Sequence, residues 1–119
     1  MAFTQSNLPT PPPFQSQATA DELQSRLNWG EPALTIIDVR DREAFNKESI
    51  RGAVPLPMSE LVSEARANFE TTRDIYVYGN DDDETRLAAT TLREAGFERV
   101  AELKSGLNGW KAIAAPVES

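Results

Sequence analysis

Four consecutive acids, Asp81, Asp82, Asp83 and Glu84, follow Gly79-Asn80 and stand just after the apolar stretch Ile75-Tyr76-Val77-Tyr78. A run of carboxylates at such a place can do three things. It can cap a helix, accepting orphan amides and complementing the positive end of the helix dipole. It can meet a basic partner. It can hold a divalent cation, although Asp81 to Glu84 lacks the alternate spacing and the glycine of an EF-hand loop. Acid–base catalysis needs two carboxyl groups held in unlike environments, and four acids side by side on an exposed loop are solvated together. The missing residue types narrow the chemistry further, because the chain has no cysteine and no histidine. Disulfides, a thiol nucleophile, thiolate or imidazole metal sites and an imidazole base are therefore excluded. Carboxylates, lysine, tyrosine and backbone amides remain.

A chain of 119 residues has room for one domain. Its net charge of −7 argues against non-specific nucleic-acid binding and against anionic membrane surfaces, both of which need basic charge. A basic protein partner is electrostatically easier. There is no apolar run long enough to span a membrane, and Met1 to Asn7 has neither the basic nor the apolar region of a secretory signal. A cytoplasmic location and no cofactor are the corresponding expectations. No feature of the sequence sets an oligomeric state.

Residues 1–17 carry no charged side chain and hold Pro9, Pro11, Pro12 and Pro13. Pro11-Pro12-Pro13-Phe14 favours an extended polyproline conformation, so this stretch is read as a tail and a candidate contact segment. Residues 18–119 are read as the folded domain. Thr19-Ala20-Asp21-Glu22 is a capping box that opens a helix, and Asn28-Trp29-Gly30-Glu31-Pro32 closes it. Trp29, beside these turn residues, is a second candidate contact. Leu34 to Val39, Val54 with its neighbours, Ile75 to Tyr78 and Arg99 to Leu103 read as strands, with Tyr76 and Tyr78 placed one in each layer. Met58, Leu61, Val62, Ala65 and Phe69 trace one helical face. Glu84 to Ala95 reads as a helix burying Leu87, Ala88, Thr91, Leu92 and Ala95, stopped at Gly96. Leu107, Trp110 and Ile113 mark a last helix. Strands alternating with helices predict an α/β domain: a central parallel sheet with helices on both faces.

Several stretches resemble one family. Asp38-Val39-Arg40, then Phe45, then Ile50-Arg51-Gly52-Ala53 are similar to the first half of a rhodanese-like domain. Tyr76-Val77-Tyr78 resembles the strand before that family's active-site loop. Ala95-Gly96-Phe97-Glu98-Arg99-Val100 and Ser105-Gly106-Leu107-Asn108-Gly109-Trp110 resemble its later motifs. The matches run in order, at family spacing, from about Thr19 to Val117. The resemblance implies a single rhodanese-like α/β domain. It also implies that a cysteine should follow Tyr78, carrying sulfur as a persulfide in a cradle of backbone amides at a helix start. Here that position is Gly79, and the loop after it, Asn80 to Glu84, is acidic where active members carry cations and glycine. Asp82 stands for one of those glycines, and Glu48-Ser49 for the usual Gly-His before Ile50. Phosphatase relatives need the same cysteine.

The expectation is a catalytically inactive member acting as a protein-binding or regulatory module, with Gly79, Asn80, Asp81, Asp82, Asp83 and Glu84 as an acidic surface. The acids are expected to fill the vacated cradle themselves, to face a basic partner, or to hold a cation. Asp38 and Arg40 are expected at the loop rim, with Arg40 paired to an acid such as Glu43, and Arg86 with a loop acid. A carboxylate- or divalent-metal-dependent enzyme or cation-binding domain on the same fold is the alternative.

Overall fold

The structure, a computed structural model, describes residues 14–28 and 33–119. The expectations for Pro11, Pro12, Pro13 and Trp29 lie outside those residues.

Short apolar and β-branched segments form the centre. Strands β2 (Leu34–Asp38), β5 (Asp74–Tyr78) and β6 (Val100–Leu103) lie side by side, flanked by β1 (Gln17–Ala18) and β4 (Val54–Pro55). The order is β1-β6-β5-β2-β4 and every pair is parallel. Register is set along the whole of β2 and β5, with Leu34 opposite Asp74 and Asp38 opposite Tyr78. The three long strands therefore finish near one end of the sheet, where loops cluster in folds of this kind.

Alternation along the strands divides the core in two. On one face Leu23 of α1 (Ala20–Asn28) and Trp110 of α5 (Gly106–Ala112) cover Ile36, Tyr76, Tyr78, Ala101 and Leu103. On the other, Leu61 and Ala65 of α3 (Leu61–Asn68) and Ala88, Ala89 and Leu92 of α4 (Asp82–Glu94) cover Ile37, Ile75, Val77 and Val100. Each fully buried leucine is worth about 1.5–3 kcal/mol over an exposed one. This is the predicted parallel sheet with helices on both faces. Tyr76 and Tyr78 share one layer, as their spacing of two residues requires, and not one each. Leu87 is 57% exposed, so the expected burial of that residue is corrected. The small Ala88 and Ala89 make the close approach to the sheet instead.

The helix ends follow their residues. Thr19 and Glu22 exchange the two capping-box hydrogen bonds, at 2.8 and 3.2 Å. Asp41 caps the short α2 (Arg42–Lys47), a 3-10 turn over Met58–Glu60 leads into α3, and Gly96 ends α4 at φ 105°. Two features carried no periodic signal. The first is a ribbon of β3 (Ser49–Ile50) antiparallel to β7 (Val117–Glu118). The second is β1, which moves the start of the folded unit: Gln17 belongs to the sheet edge, and Phe14 packs beneath it. The boundary drawn between residues 17 and 18 thus cuts through a strand.

Candidate functional site: a loop closed by its own carboxylates

Strand β5 ends at Tyr78, and the chain turns through Gly79 and Asn80 into α4. Asp81 is the helix cap: extended at φ −150°, it accepts from the Glu84 amide at 2.8 Å. Thr85 locks the turn from below. Its hydroxyl accepts from the buried Gly79 amide at 2.9 Å and donates to the Asp81 carbonyl at 2.9 Å.

Glu84 folds back over the turn. Its Oε1 accepts from the Asn80 backbone amide at 2.7 Å and from Asn80 Nδ2 at 2.9 Å. Asp82 reaches sideways to the loop before α5, accepting from the Ser105 amide at 2.9 Å, with Lys104 Nζ at 4.0 Å. Ser105 is held at φ 62°, a left-handed conformation costly for any residue but glycine, and the Asp82 bond helps pin it there. Asp83 pairs with Arg86 at 3.1 Å, on the exposed side of the helix. Each acid of the run therefore has a partner within the protein. Among the described residues no three acids gather as a metal site would need.

The rim is built from β2. Asp38 is fully buried, and Arg40 grips it with Nε–Oδ1 at 3.0 Å and Nη2–Oδ2 at 2.7 Å. The same Nη2 donates to the Glu48 carbonyl at 2.6 Å. Arg40 thus pairs with Asp38 rather than with the expected Glu43, because the chain bends after β2 and brings the Arg40 backbone amide onto Asp38 Oδ1 at 2.9 Å, with the side chain beside it. Hydrogen bonding to Asp38 raises the Arg40 pKa further above its ordinary value. Tyr78 lies under this pair: its hydroxyl accepts from the Ile50 amide at 3.1 Å, and the Arg40 guanidinium sits 5.6 Å from its ring. Burial, with the Asp38 carboxylate nearby, pushes the Tyr78 phenol well up. It is held as a neutral phenol. Lys111 reaches Glu48 at 2.6 Å and ties α5 to the rim.

The sequence-predicted residues thus divide. Gly79 to Glu84 converge on one turn beside Asp38 and Arg40. Phe14, expected as a contact residue, lies half-buried against its own domain: its ring is 5.5 Å from Tyr76 and 4.8 Å from the Arg99 guanidinium. Arg26 and Arg99 flank the same spot and both bond Asp74. Thr85, Lys104 and Lys111 were missed as parts of the site. Only the Asp81-to-Thr85 spacing of one helical turn hinted at the first.

The rhodanese-like domain model matches residues 19–113, so the chain belongs to the rhodanese-like family. The crystal structure of the Alr3790 protein from Anabaena sp. is similar at 53% identity and a TM-score of 0.84, over 86% of this chain and 91% of that one. The YrkF protein of Bacillus subtilis is 34% identical over 79 residues, which is 66% of this chain and 42% of YrkF. This chain thus matches less than half of that relative's length. The thiosulfate sulfurtransferase GlpE of Coxiella burnetii is 32% identical over 79 residues, 66% of this chain and 73% of GlpE. With glycine at position 79 and no cysteine anywhere in the chain, cysteine-dependent sulfur transfer cannot run on this chain's own residues.

Proposed function

We propose that this domain is a non-catalytic rhodanese-like module that binds a protein partner, with the acidic face of the Gly79–Glu84 turn as its recognition surface. The observation that carries the reading is Glu84. Its carboxylate sits on the Asn80 amide at the start of α4, the kind of place where the family's reactive anion would need its amides. The turn is closed by its own side chains, Asp81, Glu84 and Thr85. What it offers outward is negative charge, since the turn carries four acids and only Arg86 and Lys104 stand against them. Beside them stands Leu87, an apolar side chain in the open. Exposed apolar groups ringed by charge suit a basic, amphipathic segment of a partner.

The alternative, a carboxylate- or metal-dependent enzyme, has no observation in its favour: the four acids point to different partners and none faces another. The test compares the wild type with Asp83→Lys/Leu87→Ser, changes that leave the caps intact. A partner that binds wild type saturably and the variant at least about tenfold more weakly, with matching melting curves, is expected. Equal binding by both, or no saturable partner in the source cell extract, would sink the reading.

A further inference from the structure

We infer that Gly79 and Glu84 form a steric interlock: the Glu84 side chain occupies the volume that any side chain at position 79 would need, so the glycine is required by the glutamate. Glycines usually persist for their backbone, and three here do, at φ 86°, 105° and 45° for Gly52, Gly96 and Gly106. Gly79 is not among them; its backbone suits any residue. Space is what excludes a side chain. A Cβ on Gly79 would lie 2.6 Å from Glu84 Oε1, 2.8 Å from its Cγ and 3.1 Å from its Cβ. All are well inside ordinary contact. The close atoms run along the glutamate from stem to tip, so a small rotation does not clear them.

Glu84 is also held where it is. Two donors of Asn80 bind Oε1, and the Glu84 amide is fixed to Asp81. A side chain at 79 must therefore expel the carboxylate and leave the Asn80 amide without its acceptor. Positions 79 and 84, two of those at which this loop departs from a cysteine-bearing one, are consequently one unit. A nucleophile placed at 79 displaces the cap of the turn meant to position it, and a working loop needs both positions changed. This holds whether or not the partner reading above does.

A double-mutant cycle on the full chain tests the interlock. Gly79→Ala is expected to shift the folding equilibrium about tenfold or more toward the unfolded state when Glu84 is present, and about threefold or less in the Glu84→Ala background. Glu84→Gln, which keeps size and loses charge, should retain the large penalty. If Gly79→Ala folds only in the Glu84→Ala background, that is the same result in its strongest form. The Asn80 amide resonance gives a second reading: in Gly79→Ala it should move to the position it has in Glu84→Ala. Equal penalties in both backgrounds, a penalty that disappears in Glu84→Gln, or an unmoved Asn80 amide in Gly79→Ala would overturn the interlock.

Discussion

Asp38 has no exposed surface, and Arg40 meets its charge with two guanidinium nitrogens and a backbone amide. A buried carboxylate stripped of its cation is among the costlier defects a small domain can carry. Arg40→Met should therefore lower stability by about 3 kcal/mol in urea unfolding, and Asp38→Asn in the same chain should restore part of that loss. Additive losses would show the pair to be uncoupled. Asp74 makes a pH-dependent case. Burial opposes its charge, yet hydrogen bonds from Arg99 and Arg26 hold its carboxyl below the ordinary value. A depressed folded pKa gives stability that is complete above the unfolded value of about 3.9 and drains as pH falls through the lower, folded one. Acid unfolding of Asp74→Asn should lose that part of the pH dependence below about pH 4, and an unchanged acid profile would refute it. At this scale the sequence was half legible. The Asp-Val-Arg and Asp81–Glu84 residues stand out by type. That Glu84 turns back to Asn80 while Asp82 reaches Ser105 depends on a turn and a crossing loop, which no spacing encodes.

Within α4, Asp81 and Asp83 are alike in sequence and unlike in role. Asp81→Ala removes a helix cap and should cost about 1 kcal/mol. Asp83→Ala breaks an exposed pair with Arg86 and should stay within about 0.5 kcal/mol of wild type. Denaturant midpoints of the two variants side by side test this, and equal effects would count against it. Past α5 the chain holds Ala114 at φ 59°, so Ala114→Gly should stabilise by about 0.5–1 kcal/mol, visible as a raised melting midpoint. The elements long enough to show a period, α1, α3, α4, β2 and β5, stood out most in the sequence, and β4, β6 and α5 were read from shorter apolar stretches. The strands β1, β3 and β7 have two residues each, too few for any alternation to register. They form because partners assembled elsewhere offer free amides and carbonyls. Leu87 was misread for a related reason. A helix this close to a sheet buries its alanines, and hydropathy alone ranks a leucine above them.

Across the whole molecule, β1 closes one side of the sheet. It is held by Glu102 N to the Ser16 carbonyl at 2.9 Å, Lys104 N to the Ala18 carbonyl at 2.8 Å, and Arg93 Nη2 to the Ser16 carbonyl at 3.1 Å. Phe14, with Arg26, Arg99 and Tyr76 around it, anchors the segment at the far end from the loop. Removing residues 1–18 should bare the edge of β6 and promote self-association, seen as a concentration-dependent sedimentation coefficient; a strictly monomeric truncation would argue that β1 is dispensable. The pairing of β1 with β6 also sets an order in time. Gln17 sits opposite Glu102 and Ala18 opposite Leu103, at nearly opposite ends of the chain. During synthesis the first of the five strands of this sheet thus pairs only once the last of them has been made. Until Leu103 has emerged, no arrangement of the nascent chain can complete this sheet, and the early segment must wait, unpaired, while β2, β4, β5 and β6 are made.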